Sequence, residues 1–135
     1  MIRTVLAVVV LGVLCACSRT GGVDPELQRE GSLLLQAVDR LRQAPNADKP
    51  EHLASLAALS CSRPESCALK DRCADAYRGF VNALNDITRI EAALTSNAAF
   101  NAADLASAQH ALDIARDKTL GCASAQGELA RAIGR

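Results

Sequence analysis

Aromatic side chains are nearly absent from this 135-residue chain, which has no tryptophan, one tyrosine (Tyr77) and two phenylalanines (Phe80 and Phe100). Sugars and bases are commonly held on aromatic faces, so the shortage speaks against carbohydrate and nucleotide binding. An excess of one charge is missing too: fifteen basic and fifteen acidic residues leave the formal net charge at zero. A neutral chain without a basic cluster lacks the electrostatic footprint of a nucleic-acid binder, and no nucleic-acid partner is expected. It also lacks a polybasic patch that would hold it to anionic lipid. No apolar run approaches the roughly twenty residues of a bilayer-spanning helix; the longest, Val5 to Leu14, is about half that.

Familiar catalytic patterns are missing as well. There is no Gly-rich phosphate loop, no Gly-x-Ser-x-Gly elbow, no His-Glu-x-x-His and no Cys-x-x-Cys-His. Neither of the two histidines, His52 and His110, falls beside a nucleophile or a carboxylate pair, and both read as solvated surface. The Lys70-Asp71-Arg72 and Asp113-Arg116-Asp117-Lys118 clusters read as helix faces laced with mixed charge. Catalysis needs polar groups converging in a pocket, so an enzyme is the least favoured class, and no catalytic, cofactor or metal residues are expected.

What is present begins at the N-terminus. Arg3 precedes the apolar run, which ends in Leu14-Cys15-Ala16-Cys17. A charged start, a short apolar stretch and a small residue before the cut describe a secretory signal peptide rather than part of the fold. A cysteine three residues after a leucine, with Ala16 just before it, resembles the lipobox of bacterial lipoproteins. The resemblance implies cleavage before Cys17, lipid on the sulfur of that cysteine, and palmitate as part of the modification. Ser18 rather than Asp follows it, which in a Gram-negative host implies the outer membrane, on its periplasmic face. Residues 1–16 are then the signal peptide, 17–23 a lipidated tether, and 24–135 the folded domain. The acyl chains on Cys17 do the anchoring, since no basic patch helps them. Six or seven extended tether residues reach at most about 25 Å, so the domain sits close to the membrane.

The remaining chain is long enough for one domain. It is rich in alanine, the best helix former. Asp24-Pro25 opens a first helix, with an N-cap residue followed by proline at the first helical position. Leu27, Leu34, Val38 and Leu41 recur at helical spacing, and the helix stops before Pro45. After a loop, Ala44 to Pro50, a short second helix carries Leu53, Leu56 and Leu59 and ends near Cys61. Ser62-Arg63-Pro64-Glu65 has the form of a capping box opening a long third helix. There Leu69, Cys73, Ala76, Phe80, Ala83, Ile87, Ile90 and Leu94 alternate spacings of four and three, a heptad seam. Tyr77, Val81 and Leu84 form a second stripe, which makes this the central helix.

Thr95 to Asn101 breaks the pattern. Phe100 and Leu105 flank the expected cap Asn101 as a hydrophobic staple. A fourth helix follows, with seam positions Leu105, Ala108, Leu112, Ala115, Thr119, Cys122, Gln126, Leu129 and Ile133. Gly121 and Gly127 weaken it by about 1 kcal/mol each relative to alanine. The short connection implies an antiparallel hairpin. The predicted fold is therefore all-α: a small antiparallel bundle of three long helices and one short, held by two disulfides.

Four cysteines lie beyond the leader and the lipid site: Cys61, Cys67, Cys73 and Cys122. In an exported chain an even number reads as disulfides, and four cysteines allow three pairings. The hairpin narrows them. Residues facing one another are equidistant from the turn, and the midpoint of 73 and 122 falls inside it. Cys73 is thus expected to pair with Cys122, leaving Cys61 with Cys67. A hairpin offset by one turn would instead pair Cys67 with Cys122 and Cys61 with Cys73. The spacings do not suit zinc, which favours two to four residues between paired cysteines; here five, five and forty-eight intervene.

Leu33-Leu34-Leu35 cannot all face one neighbour, because each helical step turns about 100°. All three are buried only if the first helix is wedged between others; otherwise one is free for a partner. Two functions compete. One is a docking or accessory module of the cell envelope, whose helical surface binds a partner protein; pilotins offer an analogy of architecture. The other is a binder of a small apolar molecule or lipid, in a cavity left by the small seam residues Ala76, Ala83, Ala108 and Ala115. A murein-linked coiled-coil lipoprotein is set aside, because the helical pattern here is broken by loops and ends in Arg135 rather than lysine.

Overall fold

Asp24 starts the fold: its Oδ1 accepts a hydrogen bond from the Glu26 amide at 3.0 Å, and Pro25 follows at the first helical position. The computed structural model describes residues 22–96 and 101–135. The leader, Cys15, Cys17 and Phe100 of the expected staple lie outside those residues. Four helices follow in order, α1 Pro25–Gln43, α2 Lys49–Ala58, α3 Pro64–Thr95 and α4 Ala102–Ala132, with no strand among the described residues. None of these helices is long and apolar enough to cross a membrane.

The core lies at one end. Leu34, Val38, Leu41, Leu56, Leu69, Cys73, Ala76 and Leu129 are essentially excluded from solvent and belong to one apolar cluster. All four helices contribute to it, and α3 touches the other three, as its double stripe implies. Gly31 lets α1 approach α4: a Cβ there would stand 3.2 Å from Leu129 Cδ1 and from Ile133 Cγ2. Gly134, with φ of 75°, ends α4 in the left-handed conformation, and Arg135 donates back to the Ala130 carbonyl at 2.8 Å.

The N-terminal ends of α1 and α3 lie together with the C-terminal end of α4. Arg63 joins two of them, with Nη2 2.7 Å from Asp24 Oδ2 and 2.8 Å from Glu26 Oε2. From there α1 and α3 run the same way, but α1 has 19 residues and α3 has 32. At about 1.5 Å per residue, the α3–α4 hairpin therefore runs roughly 20 Å past the end of α1 as a two-helix arm. Ala83, Ala108 and Ala115 close its seam at 0, 2 and 1% exposure. Towards the tip burial thins: Ile87 and Ile90 are half-buried, and Leu94 is 53% exposed. A pair of helices closes one seam, and no other described helix covers the rest.

The disulfides are Cys73–Cys122, with Cα atoms 4.6 Å apart, and Cys61–Cys67, at 5.3 Å. The first ties α3 to α4 where the arm leaves the body. The second closes the connection from α2 to α3. Lys118 and Asp75 add a surface bridge at 2.8 Å between α3 and α4, worth little by itself.

Helix ends depart most from the local reading. Ser62 does not cap α3: the N-cap is Arg63, with no side-chain cap of its own. The Ser62 amide and hydroxyl both donate to Glu30 Oε2 of α1, at 2.9 and 2.8 Å, and the Arg63 amide donates to Oε1 at 3.2 Å. Glu30 thus supplies from another helix the carboxylate that Glu65 would supply in a capping box. Burial pushes the Glu30 carboxyl up, but the hydrogen bonds from Ser62 and Arg63 outweigh it and hold it below its ordinary value. The second helix ends at Ala58, short of Cys61, because Leu59 turns its carbonyl to the Lys70 ammonium at 2.9 Å. Asn101 does cap α4, accepting from the Ala103 amide at 2.9 Å. Gly121 and Gly127 leave α4 continuous.

Candidate functional site

Lys49 is the least expected residue in the molecule. It falls in the loop that separates α1 from α2 in the sequence pattern, yet it is only 6% exposed. Its ammonium donates to the carbonyls of Leu41, Arg42 and Ala44 at 3.2, 3.2 and 2.8 Å. Those are free acceptors at the end of α1, where the helix dipole also favours a cation. The same ammonium stands 5.8 Å from the centre of the Tyr77 ring and 6.0 Å from that of Phe80. Among the described residues no carboxylate forms an ion pair with it. Burial pushes its pKa below the ordinary lysine value, and burial pushes the Tyr77 phenol up.

Beside this lysine a cleft of about 390 Å³ opens between the end of α1, the middle of α3 and the far half of α4. Arg42, Lys49, Tyr77, Phe80, Leu120 and Gln126 are among its walls, with Cys122 of the arm-root disulfide. Both aromatic residues of the described chain are here. Leu120, at 69%, is the most exposed large apolar side chain described. Among the described residues no carboxylate lines the cleft; the nearby Asp39 accepts from Arg42 Nη2 at 3.0 Å and from Gln126 Nε2 at 3.4 Å. The surface is apolar with a cationic edge.

Two other grooves open on the surface, and one of them carries an exposed leucine. Leu33 is 52% exposed, so α1 buries Leu34 and Leu35 but not all three leucines. With Ala37, Arg40, His52 and Leu59 it lines a groove of about 300 Å³ between α1 and α2. One of about 250 Å³ lies near the arm tip, among Asp86, Arg89, Ile90 and Asp104.

The seam alanines leave no room for a ligand. Ala76, Ala83, Ala108 and Ala115 are all buried at 2% exposure or less, and a Cβ at Gly79 would meet Ala115 Cβ at 3.5 Å, ordinary contact. Small residues here bring the helices close. Of the titratable groups singled out from sequence, His110 is exposed on α4 and His52 lines the Leu33 groove. Among the described residues no three His, Cys, Asp or Glu side chains gather where they could hold a metal ion. Cys17 lies outside those residues, and the other four sulfurs are in disulfides.

The cleft was reachable from sequence only in pieces. Tyr77, Phe80 and Gln126 stand on the two seams, but Arg42, Lys49 and Leu120 carry no periodic signal. A lysine a few residues past a helix end is the one hint, since such lysines cap carbonyls. Set against known protein families, curated proteins and solved structures, the chain matches none of them.

Proposed function

We propose that this chain is a lipid-anchored docking module of the bacterial cell envelope. Cys17 carries the lipid, and the helical domain presents surfaces to a partner protein in the periplasm. The observation that carries the reading is the contrast between a closed seam and open apolar grooves. Alanines fill the space between α3 and α4, while Leu33, Leu94, Ile114 and Leu120 stand 44 to 69% exposed. Exposed apolar side chains beside clefts mark interaction surfaces more often than ligand cavities. A small-ligand binder needs enclosure that this seam does not offer, and an enzyme needs converging titratable groups that the cleft does not hold.

The layout suits a tether. Val23 reaches the end where α1 begins and α4 finishes, with its Cγ2 3.6 Å from the position of a Cβ on Gly134. A lipid at Cys17 would hold that end to the membrane, and the arm would point away from it. With 32 residues, α3 spans about 48 Å, so the arm tip would stand that far out.

The test is photo-crosslinking in the native host from Leu33, Leu94 and Leu120, followed by purification of the membrane-tethered protein. One envelope protein should be enriched from at least one position, and lost from the same position in a Cys17→Ser chain. Enrichment of none, with the protein correctly localised, overturns the docking reading.

A further inference from the structure

We infer that the cleft at the root of the arm receives a partner-protein segment that places a carboxylate beside a large apolar side chain. This rests on the docking reading and names the chemistry of its partner. Two features of the cleft carry it. The first is charge. Lysine is almost never buried without a counter-ion, yet Lys49 is 6% exposed and pairs with no carboxylate among the described residues. Its three donors are spent on carbonyls, so it acts as a fixed positive charge behind the wall rather than as a hand that grips. Arg42 is the hand. Its guanidinium is exposed at the rim, and only Nη2 is engaged, with Asp39. Other guanidinium N–H groups remain to fork onto a carboxylate. Among the described residues no acid is in the lining; the nearest carboxylate, Asp39, lies behind Arg42 and Gln126, so an incoming carboxylate competes with it for Arg42 while Lys49 adds a second positive charge.

The second feature is the apolar surface that continues from that edge. Phe80, Tyr77 and Ala123 are among the cleft's apolar walls, together with Leu120, which is 69% exposed. A leucine- or phenylalanine-sized side chain laid there would cover Leu120, which the described residues leave exposed. A protein segment suits the cleft better than a free fatty acid. The cleft lies open at the surface, whereas drug-sized ligands and acyl chains need most of their own surface enclosed. A side chain on a partner brings the rest of its contacts with it.

The test uses the full-length lipidated protein in nanodiscs, panned against a library of displayed twelve-residue peptides. Parallel selections use Leu120→Asp and Arg42→Glu, both changes at exposed positions whose folding is checked by circular dichroism. Peptides enriched on the wild type should carry an aspartate or glutamate near a Leu, Ile or Phe. Each variant should weaken them by about tenfold or more, with binding that also falls as salt rises. Enriched peptides without an acid, equal enrichment on the Leu120→Asp chain, or no enrichment at all would overturn the assignment. The two readings fail separately. A host partner crosslinked from Leu33 or Leu94 whose capture survives Leu120→Asp keeps the docking function and removes this cleft from it.

Discussion

Glu30 closes the start of a helix to which it does not belong: its carboxylate takes the Ser62 amide and hydroxyl at 2.9 and 2.8 Å, at the entrance to α3. The charge is part of that cap, because a charged acceptor beside free amides at a helix start is favoured. Glu30→Gln is expected to lower stability by about 1–2 kcal/mol at neutral pH, as the loss of a good N-cap does. The sign with pH follows from the depressed carboxyl. The folded state releases the proton more readily than the unfolded one. The stability that Glu30 contributes is therefore full above the ordinary value of 4.5 and fades as pH falls through the folded pKa. Urea titrations of the two proteins should converge as pH drops below about 4. A gap that persists unchanged at pH 2.5 would refute the cap.

Lys49 gives a slope of the same sign in an alkaline window, for the opposite reason: its charged form is the one that folding disfavours. Burial lowers its pKa from 10.5, so the unfolded chain holds the proton more tightly than the folded one. Stability should then rise with pH from the folded pKa up to 10.5, as the ammonium becomes easier to keep neutral. Lys49→Met removes that slope and leaves the end of α1 with fewer donors, at a cost of about 1–3 kcal/mol near neutrality. Thermal melts of both proteins between pH 7 and pH 10 test the two effects together. A lysine variant as stable as the wild type at pH 7 would contradict the cap.

The two disulfides should contribute unequally. Cys73–Cys122 spans a sequence separation of 49 and Cys61–Cys67 one of 6. Loop entropy assigns them about 4 and about 2 kcal/mol. Replacing each pair with alanine and comparing denaturation midpoints gives the ratio. A larger loss from the short loop would show that local geometry outweighs entropy at the α2–α3 connection.

The closed seam makes its own forecast. Ala115 is 1% exposed and packs where Gly79 leaves only ordinary contact. Ala115→Leu should destabilise by about 1–3 kcal/mol through overpacking. A ligand cavity at this level would instead accept the larger side chain, so an unchanged or raised melting temperature would reopen the binder reading.

Much of this fold could be read from spacing, and the limits of that reading have a common cause. The seam from Leu69 to Ile90 and the alanines of α4 repeat along one face of one helix, so the pattern is complete within a local window. The cysteine pairing followed once the hairpin supplied the register. Leu33, Lys49 and Glu30 behave otherwise, because their surroundings come from other helices. Ser62-Arg63-Pro64-Glu65 shows how a local pattern can mislead. The spacing of a capping box is there, but Glu30 reaches Ser62 first. In the cleft, Tyr77 and Phe80 looked like seam residues and nothing more. What makes them part of a site is the buried ammonium beside them, carried by the first residue of α2, in a stretch whose sequence looks like a solvated loop.

The Cys73–Cys122 bond also divides the molecule by how readily it opens. Helix pairs fray from their unsupported end, and here that end is the tip, where burial thins from Ile90 to Leu94. Unzipping that begins there meets a covalent rung at the arm's root and stops. Amides of residues 84–95 and 102–111 should therefore exchange with solvent well ahead of those below the rung, and reduction should erase the boundary. The far half of the hairpin can thus open while the leucines around Leu34 and Leu69 stay dry.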